Sequence, residues 1–270
     1  MSDTVKTLQV HIGSHPGIFG ESLERHRAFW MLDDMERPLL GLNMGLFMDE
    51  RYPKTAWALP DGMIRPEDIR TDLFIEDCER QYEMHKELGD DYVFVGSPFK
   101  FVPWMEAIMG CPIMGSPSSL WTEPCVSDWE SWHWERPTME NPWAMKLLEL
   151  MRALADSSRN RYPVSATLMR GASDVIAAMR GAVQLPLDAM DCPGLVRQAA
   201  EFCMDLRIEL SKAQQALIPY CPDGYMDGDN GLRYWCPVKP MWLQEDALAF
   251  LSPNLYRELF LSVDLRYARE

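Results

Sequence analysis

The residues of this 270-residue chain best suited to chemistry stand where short apolar runs end. Gln244, Glu245 and Asp246 follow the run Met-Trp-Leu at 241–243, and Arg170, with Gly171 behind it, closes the run 164–169. A carboxylate in such a place can move a proton, and a guanidinium can hold an anionic substrate group. Asn43, Ser97 and Lys100 occupy equivalent places after two earlier runs. Plainer roles stay open. Asp246 can cap the following turn or pair with a neighbouring arginine, and Arg170 can simply neutralise Asp174 or Asp246.

Metal-binding residue types are present but poorly spaced. The five histidines are at 11, 15, 26, 85 and 133, and none begins a His-x-Cys pair. His11 and His15 are four apart, but Gly13 between them and Pro16 after them argue for a solvated tail. The seven cysteines form no Cys-x-x-Cys, and fit reduced thiols packed as small hydrophobes in a cytoplasmic protein. Cys221 and Cys236 flank a hairpin-like excursion, yet two thiols alone make a poor zinc site. Asp227 and Asp229 imitate the start of a calcium loop without its twelfth-position glutamate, so a hairpin tip is the simpler reading. Trp121, Trp129, Trp132, Trp134 and Trp143 could wall a flat ligand, although rings that pack a long loop onto its domain are commoner.

Composition narrows the partners. With 41 acidic against 26 basic residues the net charge is -15, and no run of Lys and Arg exceeds a pair. Phosphate neutralisation needs clustered cations, so no nucleic-acid partner is expected. No apolar stretch reaches the ~18 residues of a membrane span, and the first residues have no signal-type apolar core.

The elements that must position the candidate residues alternate. Helical spacing or capping marks a long helix from Pro66 to Gly89, one after Asn141-Pro142, a short one from Ser173, one after Asp191 and one from Ser252-Pro253. Strand-like runs lie between them at 38–44, 92–96, 164–169 and 241–244, with a weaker one at 225–227. The stretch 111–140, rich in Pro, Ser and Trp, reads as a long loop. The class is α/β with a mainly parallel sheet. A complete eight-unit barrel needs about 250 residues at minimum spacing, and these strands are too widely spaced for more than four or five.

The segments GASDVIAAMRGAVQLPLDAMDCPGLV (171–196) and QEDALAFLSPNLYRELFL (244–261) resemble the uroporphyrinogen decarboxylase superfamily. DDYVFVGSPFKFVPWMEAIMGCPI (90–113) is similar to its second strand and following loop, and RPLLGLNMG (37–45) stands where its first strand would. The resemblance implies a TIM-barrel-type topology cut to about the first four βα units. It implies an N-terminal arm over 1–35 and an incomplete barrel over 36–270. It also places Arg170, Gln244, Glu245, Asp246, Asn43, Ser97 and Lys100 at a barrel mouth, with Arg170 and Asp246 as the catalytic pair facing each other and the others binding substrate.

Within that family the decarboxylase pattern fits badly. The arginine-bearing segment of the first strand is reduced to Arg37, GSPFKFVP after the second strand holds no acid, and Ala177 stands at the family's tyrosine. The methyltransferase branch is favoured: methyl transfer involving a small methylated substrate or a corrinoid protein. That branch activates a thiol with zinc held in later strands, so this chain is expected to hold no cofactor itself and zinc only with a C-terminal half supplied. Decarboxylase is the alternative, and a non-catalytic binding or assembly fragment a third reading. Unpaired edges of an incomplete barrel would favour self-association.

Overall fold

The computed structural model describes residues 20, 22–43, 45–159, 161–221, 224–227, 234–240 and 242–270. His11, His15, Asp229 and the strand residues Met44 and Met241 lie outside them.

The apolar runs expected as parallel strands lie side by side in chain order, but they exchange few bonds. Asp91 N donates to Leu40 O (2.9 Å), Gly96 N to Pro163 O (3.0 Å), Ser165 N to Gly96 O (2.9 Å) and Gly171 N to Gln244 O (2.7 Å). Among the described residues parallel pairing is confined to single bridges, Gly96 with Val164 and Arg170 with Gln244. Pro98, Pro163 and Pro240 interrupt or border these runs, and proline has no N–H to extend a ladder. The expected parallel sheet is therefore a set of extended segments touching at their ends.

Among the described residues the regular strands are antiparallel, which corrects the sequence reading. β1 (Gly62–Ile64), β2 (Ile113–Ser116) and β3 (Ser119–Thr122) form one sheet in that order. β2 and β3 are a hairpin inside the stretch expected to be loop. Gly115 lets this small sheet close, because a Cβ there would fall 2.7 Å from Leu120 and 2.8 Å from Ile64. β4 (Tyr225–Asp227) and β5 (Tyr234–Cys236) pair antiparallel, the hairpin anticipated between Cys221 and Cys236.

Helices follow the sequence signals more closely. α1 (Ser22–Met31) lies within the expected arm, yet His26 is buried and its Nε2 meets Asp91 O at 2.8 Å. α2 (Met48–Arg51) and α3 (Pro53–Ala58) lead to β1. Pro66 opens only a 3₁₀ turn, whose Asp68 side chain accepts from Arg65 N, and α4 starts later (Thr71–His85). α5 (Trp104–Ile108) follows the second extended segment. α6 (Pro142–Ser158) begins where Asn141 accepts from Trp143 N (2.9 Å) and Ala144 N (3.4 Å). Its Leu147, Leu150, Met151 and Leu154 are buried, as the spacing requires.

α7 (Ala172–Arg180) leads to α8 (Gln184–Asp191), hidden in the sequence by Pro186 in its first turn, and to α9 (Pro193–Gln215). The last helix is divided at Phe260 into α10 (Pro253–Leu259) and α11 (Leu261–Tyr267). One core joins Phe74, Trp104, Leu147, Val175, Ala199 and Phe260. Among the described residues no helix is long and apolar enough to cross a membrane.

Candidate functional site

The parallel bridge between Arg170 and Gln244 sets the ends of two chain segments side by side at the start of α7. Glu245 then turns onto that helix N-terminus. Its Oε2 accepts from Ser173 N (2.9 Å) and from the Ser173 hydroxyl. Gly171 makes the approach possible, since a Cβ there would lie 1.6 Å from Glu245 Oε1. That second oxygen is buried and has no partner. Burial, reinforced by the carboxylates of Asp264 and Asp174, pushes the Glu245 carboxyl up to about 7 against the two bonds from Ser173.

Arg170 pairs with Glu106 of α5, Nη1 to Oε1 at 3.0 Å. Asp246 is exposed and takes a 2.5 Å hydrogen bond from Gln244 Nε2. The expected Arg170–Asp246 pair is thus replaced by Arg170–Glu106, and the reason is burial. The Glu106 side chain is 1% exposed, so its ionised form needs a cation, whereas Asp246 can be solvated by water. Both sequence candidates still belong to one rim, because Asp174 feels the charge of each.

The rim is rich in acceptors. Burial raises the carboxyls of Glu106, although Arg170 opposes it, and of Asp174, whose Oδ1 accepts from Ala247 N at 2.7 Å. Asp264, beside Tyr256, is raised by burial too. Glu106 Oε2, Gln244 Oε1 and Glu245 Oε1 are all buried without a hydrogen-bond partner. The site can therefore accept hydrogen bonds, take up a proton near neutral pH, or face a cation.

Of the remaining candidates, Ser97 is buried and Asn43 exposed, and neither joins the hydrogen bonds of this rim. Lys100 sets its ammonium 5.6 Å from the Phe101 ring centroid. Glu106 and Ser173 were missed. The signal for Glu106 was a single acid in the apolar window WMEAIM, a position that burial alone makes unusual. Three of the tryptophans pack the long loop: Trp132 and Trp134 meet Phe202 edge to face, Trp129 stacks on Trp134, and Trp129 Nε1 donates to Asp188 at 2.7 Å.

Among the described residues, no three or more His, Cys, Asp or Glu side chains are placed to hold a metal ion. The zinc that the family resemblance implies does not fit them.

No protein-family model and no curated protein matches the chain. Among solved structures it is similar to a methyltransferase from Methanosarcina mazei, with a TM-score of 0.59 and 14% identity over 94% of this chain and 67% of that one. At this identity the likeness is one of fold: a mixed helix and sheet chain arranged as in that methyltransferase.

Proposed function

We propose that the chain is a methyltransferase of the uroporphyrinogen decarboxylase superfamily, acting on a small methylated substrate, with a corrinoid protein as a further partner. The chain order of its extended segments and the two parallel bridges support a TIM-barrel-type arrangement, and the fold likeness to a methyltransferase supports the branch. The observation that carries the reading is the row of unpaired acceptors at Glu106, Gln244 and Glu245. Such a row suits a cationic methyl donor, an ammonium or a sulfonium, better than the polyanion a decarboxylase would take.

Glu245 is the proton acceptor in this reading, because a carboxyl near 7 can take a proton at neutral pH and release it. An incoming thiol gives its proton to Glu245 as its sulfur bonds the methyl carbon. The old carbon–sulfur or carbon–nitrogen bond breaks, and its electron pair leaves with the neutral amine or sulfide. Arg170 holds Glu106 in place, and Gly171 and Ser173 hold Glu245. No step is assigned to zinc. The exposed Leu40, Leu42, Leu46 and Phe47 fit self-association of the same chain.

The test supplies trimethylsulfonium as donor, with a free thiol or reduced cobalamin as acceptor. Dimethyl sulfide and the methylated acceptor are followed by NMR. Turnover should rise with pH through about 7 and fall about 10²-fold in Glu245→Gln. Absence of methylated product with both acceptors rejects the methyltransferase reading.

A further inference from the structure

A cavity of about 540 Å³ lies apart from the Arg170–Glu245 rim. It is bounded by the extended segment 163–169, one face of α9, the β4–β5 hairpin, Trp242 and Tyr267. Its size is that of a small-molecule site. Arg207, Ser211 and Gln215 are spaced four apart on α9, so a single helix face supplies the polar wall.

Arg207 is 1% exposed. Its Nη2 donates to Trp242 O at 2.6 Å, and its guanidinium carbon lies 4.6 Å from the centre of the Tyr267 ring. The Tyr267 hydroxyl meets Ser211 Oγ at 3.1 Å, which fixes the ring beneath the guanidinium. Held this firmly, Arg207 keeps Nε and Nη1 buried without partners, and the indole N–H of Trp242 is buried without one as well. A buried donor left unmade costs about 1–3 kcal/mol, more when charged, so such donors are expected to meet an acceptor.

Charge points to the kind of acceptor. The described residues lining the cavity include Arg207 and Lys239 and no carboxylate, in a chain of net charge -15. Asp264 lies within electrostatic reach of Arg207 but does not line the cavity, and burial raises its carboxyl toward the neutral form. The rest of the wall is largely apolar, with Val164, Leu168, Ile218 and Met226 among its residues.

We propose that this cavity binds a small molecule with a carboxylate on an apolar or aromatic body, the carboxylate taken by Arg207 and the Trp242 N–H. The site is independent of the methyltransferase reading, since it shares no residue with the rim around Glu245.

Titration calorimetry on the full chain with 3-phenylpropanoate tests it, with 3-phenylpropanamide and inorganic phosphate as controls. The carboxylate should bind once per chain, and the neutral amide and phosphate at least about tenfold more weakly, the worth of a charge-assisted pair on an apolar body. Arg207→Gln should weaken the carboxylate at least about tenfold and leave the amide unchanged. Because losing a buried arginine can disturb folding, Gln215→Trp provides a second arm. It fills the cavity from the same helix face, keeps Arg207, and should abolish binding without changing the circular dichroism spectrum. Amide or phosphate binding as tightly as the carboxylate would overturn the proposal. So would full binding in Gln215→Trp, or no saturable binding of 3-phenylpropanoate, benzoate or indole-3-acetate.

Discussion

Asp91 and Glu245 each accept a backbone N–H, Asp91 from Leu40 at 2.8 Å and Glu245 from Ser173 at 2.9 Å. Each is tied to a segment distant in the chain. Their surroundings diverge from there. Asp91 also receives Arg25 at 2.6 Å and both terminal nitrogens of Arg37, and these hydrogen bonds, Arg37's first, hold its carboxyl well below the usual carboxylate range. Glu245 has a serine and no cation among its hydrogen-bond partners, and burial pushes it up to about 7. A low, fully paired carboxylate is a fastener. A raised one with an unpaired oxygen can exchange a proton, so the difference separates the region that holds the chain together from the region that can react.

The largest effect should follow from unfastening Asp91. Asp91→Ala removes a side chain 1% exposed that ties Leu40 N, Arg25 and Arg37 together, and the loss of these part-buried hydrogen bonds should cost about 1–3 kcal/mol. Because the folded pKa is depressed, this stabilisation is present above the unfolded value near 4 and is lost as pH falls through the folded one. Urea unfolding of wild type should therefore approach the variant only below about pH 4. Equal stabilities at pH 7 would mean that the arginines around Asp91 are ornamental.

Glu245→Gln is the opposite case and smaller. The folded pKa is raised, so the favourable contribution is complete below the unfolded value of about 4.3 and is lost as pH rises through about 7. Wild type should lose stability across that window while the glutamine variant does not. At pH 8 the variant should be the more stable by about 1–3 kcal/mol, and at pH 4 the two should converge. A constant difference at both pH values would place Glu245 in an ordinary solvated setting and remove the contrast with Asp91.

The two regions were not equally legible in the sequence. Asn141-Pro142 and Ser252-Pro253 announced their helices because caps act on backbone within one turn. Arg170, Gln244, Glu245 and Asp246 could be grouped because each ends an apolar run, and those ends do meet. Which carboxylate Arg170 chooses could not be read that way. Glu106 lies 64 residues earlier, and only the burial created by packing α5 decides the pairing. The β2–β3 hairpin escaped because strands of four residues with Gly and Ser carry too little alternation to stand out among turn residues. Pro98, Pro163 and Pro240 were visible, but their cumulative effect was not: they left the parallel segments with isolated bridges.

The finest test of the contrast touches Ser173. Its hydroxyl and its N–H both favour the ionised form of Glu245, against burial and the neighbouring carboxylates. Ser173→Ala keeps the backbone bond and deletes the hydroxyl donor. The Glu245 carboxyl should then rise further above 7, by up to about one unit, with a change in stability below about 1 kcal/mol. A carbon-13 titration of the glutamate carboxyls reads this directly. Gly171→Ala serves as the companion, because its Cβ must displace Oε1 from 1.6 Å and should return the carboxyl toward an ordinary value as Glu245 swings into water. Movement of the two variants in opposite directions would show that the raised proton affinity comes from the close seat on α7. If both leave the titration where it was, burial by the surrounding core sets the affinity, and the serine and glycine serve packing alone.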